Sequence, residues 1–311
     1  MKTPSQMRAL HLQPPSTLLP STTTPVPTPS PSQYLIHVST TSITANELTW
    51  PETLRRAHPI PGHDLCGTVV SSPSSDTEAS PAFKIGDEVI ALTSFSRDGA
   101  AAEYIVAEPG ELAPKPKNLT QKEAAAVPLS VLTAWQALFV HGGLTRSADV
   151  SVLVLGAAGG VGVMAVQLAR WHGARRLVGT CSGRNVEFVK SLGAHEVVDY
   201  SKDEVEGQFD VVLDCVGGRA QDECWKNVKE RGMLVSVATP LPEEKKSEYP
   251  LVQTVYFVVE PDGEQLGMLS ELFESGKMKA FVDADFALEG GPSAFELLAK
   301  GHTRGKIVLM L

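Results

Sequence analysis

Residues 150–173 read VSVLVLGAAGGVGVMAVQLARWHG, and no charged side chain occurs before Arg170. An uncharged run of this length is about that of a membrane span. Its glycines oppose that reading, because Gly156, Gly159, Gly160 and Gly162 fall together at the centre, where each costs a continuous helix about 1 kcal/mol relative to Ala. Upstream, VSVLVLG is apolar on both faces and rich in β-branched residues, the pattern of a strand buried in a parallel sheet. Downstream, VGVMAVQLARWHG has helical character and ends in cations and a glycine stop. The stretch therefore reads as strand, tight turn and helix.

Such a turn gathers unpaired backbone N–H groups and the positive end of a helix dipole at one point, which suits a pyrophosphate. Counted from Ala157, the spacing is A-x-G-x-x-G, the dinucleotide fingerprint with alanine in place of its first glycine. Gly159 lets the backbone approach the phosphates, and Gly162 lets helix pack on strand. Alone, the motif equally fits a glycine-rich turn in another α/β protein. The segments that follow supply context: strands in RRLVGTCSGR, HEVVDY, FDVVLDCVGG, GMLVSVATP and VYFVVEP, with NVEFVKSLGA as a helix among them. Strands and helices alternating in this way predict a doubly wound parallel sheet, whose ligands lie at the carboxyl ends of its strands.

An NAD site wants an acid at the end of the second strand, to bond the ribose 2′-OH. Here that tip reads GTCSGRN. Ser182 offers a hydroxyl and Arg184 a permanent cation, a pairing suited to a 2′-phosphate and hence to NADP(H). Arg184 as an ordinary solvated residue is the open alternative.

With 311 residues, 42% of them hydrophobic, the chain can build one large or two medium domains. A net charge of -9 argues against nucleic acid or an anionic membrane as partner and leaves small molecules as the expected ligands. The four cysteines are scattered and the start MKTPSQMRAL lacks an apolar signal core, so a reducing, cytoplasmic setting is expected. Residues 14–32, PPSTLLPSTTTPVPTPSPS, suggest a surface loop. The apolar segments MRALHL and YLIHVST bracket it, and GHDLCGTVV, FKIGDEVIAL and AAEYIVAE continue as short strands of a mostly antiparallel domain. SSPSSDTEASPA would link two of these.

In this order GHDLCGTVV, FKIGDEVIAL, GAAAEYIV, AAAVPLSVLTAWQAL, the glycine turn, LGAHEVVDY, FDVVLDCVGG and GHTRGKIVL resemble the medium-chain dehydrogenase/reductases, and most of all their quinone oxidoreductase-like branch. The resemblance runs from Met7 to Leu309. It implies an α/β chain in which a Rossmann domain at 119–257 joins a GroES-like, mostly antiparallel β-barrel catalytic domain formed by 1–118 and 258–311. It also implies that NADP(H) and substrate meet in a cleft, with Ala158, Gly159, Gly160, Val161, Ser182, Arg184, Tyr200, Val216, Thr239, Phe257, Val258, Val259 and Lys306 as cofactor contacts. Cys215 and Ala238 would line the same groove.

The family divides on zinc, and a catalytic zinc needs three ligands. His63 matches the family's histidine, but the cysteine expected in STTSIT is absent and Leu129 occupies a later ligand position. The structural zinc lobe's clustered cysteines are also missing. The chain reads as zinc-free, with His63 structural and no metal site. Without a Lewis acid, the fitting chemistry is hydride delivery to a quinone or an α,β-unsaturated carbonyl. The resemblance offers Asn46 and Thr133 as polar groups at the reacting centre, and Trp50 and Phe95 as pocket walls or plain packing. An enoyl reductase acting on a carrier-bound or polyketide chain, and a non-catalytic NADPH-binding sensor, stay open beside this reading, as does a homodimer.

Overall fold

The computed structural model describes residues 3–13, 17–73, 82–144 and 149–311. In chain order the strands are β1 (Gln6–Gln13), β2 (Thr17–Pro25), β3 (Tyr34–Ile43), β4 (Asp64–Ser71), β5 (Glu88–Leu92), β6 (Tyr104–Ala107), β7 (Leu112–Pro114), β8 (Ser151–Leu155), β9 (Arg176–Cys181), β10 (Glu196–Asp199), β11 (Phe209–Asp214), β12 (Val228–Ser236), β13 (Gln253–Tyr256), β14 (Val282–Ala287) and β15 (Lys306–Met310). The helices are α1 (Pro51–Leu54), α2 (Gln121–Ala125), α3 (Pro128–Trp135), α4 (Gly160–His172), α5 (Val186–Ser191), α6 (Gly218–Cys224), α7 (Glu243–Glu248), α8 (Gly263–Glu274) and α9 (Gly291–Ala299). By packing, Met1–Leu129 with Pro261–Leu311 form one unit and Ser130–Glu260 the other. The boundaries read from sequence, 118/119 and 257/258, fall eleven and three residues before these; α2 packs on β3 and β4 and so goes with the first unit.

The unit Ser130–Glu260 is built on a six-stranded sheet in the order β10-β9-β8-β11-β12-β13, with every pairing parallel. The order runs outward in both directions from β8, so the chain changes direction across the sheet between β8 and β11. In open parallel sheets, crevices form at the carboxyl edge beside such a point. All five residues of β8 are buried, as a strand covered on both faces requires. Leu153, Phe209, Val212, Trp225 and Leu234 form one core cluster here, and full burial of each such side chain contributes about 1.5–3 kcal/mol. The uncharged run resolves into β8, a turn and the thirteen-residue α4, which closes on Gly173 at φ 95°. Among the described residues no helix is long and apolar enough to cross a membrane.

The other unit carries a seven-stranded sheet, β14-β15-β3-β4-β5-β7 with β6 also on β3. It is antiparallel except for the β14–β15 pair. The first half of β3 pairs with β6 and its second half with β15, with register shifts at Leu35/Ile36 and Val38/Thr40. Such irregularities bend a strand and let one strand serve two neighbours.

Two expectations need correction. Part of the Pro, Ser and Thr-rich segment is not a loop: Thr17–Pro25 is β2, antiparallel to β1 in a two-stranded sheet. A strand with only one partner tolerates Pro20 and Pro25, and Leu18 joins Met7, Leu10 and Leu12 in a core cluster. The sixth parallel strand ends at Tyr256, so VYFVVEP is strand only at its start. Residues 74–81, within the expected link SSPSSDTEASPA, lie outside the described residues.

Candidate functional site

The turn after β8 is held from both sides. Gly156 has φ 74°, a conformation open mainly to glycine; its N–H donates to Thr180 Oγ1 at 3.2 Å and that of Ala157 to the Thr180 carbonyl at 2.9 Å. The tight turn that the fingerprint assigns to its first glycine is thus made one residue before Ala157. Ala157 is itself buried, with Gly179 of β9 leaving room for it. A Cβ on Gly162 would strike the Gly156 carbonyl oxygen and lie 2.7 Å from Ala157 Cα. At Gly159 a Cβ would meet only the Gly156 oxygen, at 3.5 Å. The first i to i−4 bond of α4 runs from Val163 N to Gly159 O, so the N–H groups of Gly160, Val161 and Gly162 precede it and find no acceptor within the helix. No side chain caps this end. Open space over Gly159 beside three such donors fits a dinucleotide diphosphate.

The other cofactor positions read from sequence lie at the carboxyl ends of the parallel strands, except Lys306, which belongs to the other unit. Ser182 is half-buried and Arg184 exposed beyond β9; Tyr200, 60% exposed, follows β10. An acid does approach this tip from the neighbouring strand: a Cβ on Gly183 would lie 2.5 Å from Asp199 Oδ2. Hydrogen bonds from the Ser201 hydroxyl and amide and the nearby Lys202 ammonium hold the Asp199 carboxyl below its ordinary range. Val216 and Val258, 52% and 60% exposed, follow β11 and β13, and Thr239 is exposed beyond β12. Large apolar side chains left open along one sheet edge mark a surface suited to a ligand.

Asp214, which sequence reasoning passed over, organises this edge. Fully buried at the end of β11, it accepts the Val216 and Gly217 amides at 2.9 Å on Oδ1, and Gln221 Nε2 at 2.9 Å and Ser236 Oγ at 2.8 Å on Oδ2. Gln221 also donates to the Thr239 carbonyl and hydroxyl, tying the β11 and β12 tips together. Phe257, Val258 and Val259 leave β13 as irregular chain. Gln136 fixes their far end, with Nε2 donating to Glu260 O at 2.9 Å and Oε1 accepting Glu260 N at 3.0 Å, and the His141 ring packs 4.3 Å from that of Phe257. Gln136 and His141 come from a π-helical turn, Gln136–His141, that continues α3. Thr133, on α3, is buried.

In the other unit, Asn46 is exposed and left-handed, φ 64°, a conformation that asparagine tolerates in turns. The buried acid is its neighbour Glu47, which accepts Gly62 N and Thr44 N, each at 2.9 Å. Burial pushes the Glu47 carboxyl up to about 7, against the pull of Lys306 and these two amides. Lys306, only 5% exposed, places Nζ 2.8 Å from Thr44 Oγ1 and 3.3 Å from Asp64 Oδ2. Asp64 also accepts Ser42 Oγ at 2.5 Å and Leu129 N at 2.6 Å.

His63 is buried, its ring packed against those of Phe95 and Trp50, with Nδ1 3.5 Å from Thr93 Oγ1. Burial, then Arg56 and Arg97, lower its pKa to about 3. A neutral imidazole is the form that binds zinc, so a metal at His63 would turn on partner ligands beside it. Among the described residues no three His, Cys, Asp or Glu converge on a point. Burial raises the thiols of Cys66 to about 12 and Cys181 to about 11, and those of Cys215 and Cys224 further, so none is a ready thiolate.

Comparison with known proteins agrees with this architecture. Residues 30–117 match the alcohol dehydrogenase GroES-like domain, and residues 192–309 the zinc-binding dehydrogenase family. A "Probable zinc-binding oxidoreductase, mitochondrial" from Arthroderma benhamiae is 39% identical, over 98% of this chain and 97% of its own. The chloroplast envelope quinone oxidoreductase homolog of Arabidopsis thaliana is 33% identical over 92% of each. The solved quinone oxidoreductase of Coxiella burnetii superposes with a TM-score of 0.87 at 28% identity, covering 98% of this chain and 99% of its own.

Proposed function

We propose that the protein, which belongs to the medium-chain dehydrogenase/reductase superfamily, is an NADPH-dependent reductase of quinones or α,β-unsaturated carbonyls that works without zinc. The glycine cradle at the start of α4 carries the nucleotide half of this reading, because its open donors match a diphosphate. The choice of NADPH is supported by Ser182 and Arg184 at the β9 tip. The acid that comes near, Asp199, accepts from Ser201 and lies beside Lys202, and Arg184 stands exposed at the same tip, where a 2′-phosphate would be met. The zinc-free half is supported by the surroundings of His63, where no second and third His, Cys, Asp or Glu converge among the described residues. An acceptor already made electrophilic by conjugation needs no Lewis acid.

When bound, the nicotinamide supplies the hydride. The chain's own groups bind and orient: the Gly160, Val161 and Gly162 amides take the diphosphate, and Phe257–Val259, clamped by Gln136, form an apolar support for the ring. Asn46 and Thr133 are the polar groups proposed to face the reaction, and Trp50 and Phe95 the aromatic wall that excludes water. Steady-state NADPH oxidation against quinones, enals and enoyl thioesters tests the reading. Turnover of quinones or enals supports it, and preference for enoyl thioesters points to an enoyl reductase. Tight NADPH binding with no turnover of any acceptor would replace it with the sensor reading.

A further inference from the structure

We propose that Thr44 is the hydrogen-bond donor to the acceptor's oxygen and that buried Lys306 is the proton reserve behind it. The inference rests on the reductase reading and adds the proton donor that reading lacks.

Lys306 is an ammonium sealed in the GroES-like unit, and lysines are rarely buried without a specific partner. Its partners are Asp64, which offsets the charge, and the Thr44 hydroxyl. An ammonium only donates, so at Thr44 the oxygen accepts and the O–H is turned away from the amine. A hydroxyl that accepts from a cation is a stronger donor in turn. Thr44 is half-buried, whereas Lys306, Asp64 and Ser42 are buried, so the chain of bonds opens outward at the threonine alone. Glu47 holds the backbone of the same residue through Thr44 N and fixes the hydroxyl's position.

As the conjugated acceptor takes up hydride at carbon, its carbonyl oxygen gains the electron pair. The Thr44 O–H bond breaks as the new O–H forms on the acceptor, and an N–H of Lys306 breaks as the Thr44 O–H is restored. Lys306, now neutral, recovers its proton from water after the product leaves. Hydride plus one proton accounts for the two-electron reduction, and the enol from an enone relaxes to the ketone.

The test compares Thr44→Val and Thr44→Ser with the wild type, using NADPH with 1,4-benzoquinone and with tetrachloro-1,4-benzoquinone, whose hydroquinone is acidic enough to leave as an anion. Thr44→Val should lower kcat for benzoquinone by about 100-fold, the scale of one lost general acid or oxyanion donor, but for the tetrachloro compound by about threefold or less. Thr44→Ser should restore most of the rate, and NADPH affinity should not move. Lys306→Met should repeat the acceptor dependence of Thr44→Val. If that variant does not fold, the two threonine variants decide. Equal losses for both quinones, or none, overturn the proposal while leaving the reductase reading in place. A wild type without turnover of either quinone or any enal overturns both.

Discussion

Gly159 and Gly162 stand three residues apart in one turn, yet alanine at the two positions should fail for opposite reasons. At Gly162 the new Cβ meets backbone atoms, the Gly156 oxygen and Ala157 Cα, and no flexible side chain can yield. Overpacking of this kind costs about 3 kcal/mol at its upper range; the gain in helix propensity returns about 1 kcal/mol, leaving a net loss of about 2 kcal/mol. For a unit of this size that lowers Tm by about 8 °C. At Gly159 the backbone, φ −78° and ψ 176°, suits alanine and the space is open, so Gly159→Ala should leave Tm unchanged or raise it slightly. Its methyl instead occupies the approach to the phosphates, and NADPH affinity should fall about 30-fold, the equivalent of about 2 kcal/mol. Thermal melts with and without NADPH read both effects. At a ligand concentration of about 100 times the wild-type Kd, NADPH stabilises the wild type by about 2.7 kcal/mol, or about 11 °C, and Gly159→Ala by about 0.9 kcal/mol, or about 4 °C. A Gly159→Ala protein that melts early but gains the full NADPH shift would refute the reasoning, as would a Gly162→Ala protein indistinguishable from wild type.

Arg184→Ala should weaken NADPH by about 10- to 100-fold, the worth of a charge-assisted bond to phosphate, and NADH by less than about threefold; equal losses in a fluorescence titration would remove the 2′-phosphate role. Dialysis against a chelator should leave kcat unchanged, and activity lost on dialysis and regained with zinc would contradict the metal-free assignment. Because burial raises the Glu47 carboxyl from 4.5 to about 7, the folded protein binds the extra proton between these values. The group's contribution to stability is therefore full below pH 4.5 and declines as pH rises to about 7, by about 3 kcal/mol. Denaturant titrations of wild type and Glu47→Gln at pH 5 and pH 8 should differ in pH dependence by about that amount, and parallel behaviour would show that Glu47 does not titrate there.

The Rossmann half was legible because its signals are local. Glycine positions declare the turn, two-sided apolar strands declare a covered parallel sheet, and Gly173 declares the helix stop. The sixth strand was overextended because Phe257–Val259 continue its apolar run; at the sheet's open edge, hydrophobicity no longer reports the core. Asn46 and Glu47 are neighbours in sequence, and only the left-handed backbone at Asn46 reveals which of the two turns inward. Asp199 reaches the β9 tip from an adjacent strand, a juxtaposition that no local pattern records. The β2 strand hid behind prolines that a strand with one partner can carry.

The two buried polar networks also differ in kind. Asp214 accepts four bonds from neutral donors and each donor belongs to the same sheet edge, so the network is closed and its work is to set the loops after β11 and β12. Lys306 and Asp64 bury opposite charges, and an ion pair of that sort contributes so little net stability that apolar residues of similar volume are often as good or better by about 1–4 kcal/mol. Stability alone therefore does not account for it. What separates this network from the Asp214 one is its end: the bonds run from Asp64 through an ammonium to a half-buried hydroxyl whose hydrogen faces away from the protein's own donor. A closed network holds shape, and an open one can pass a proton.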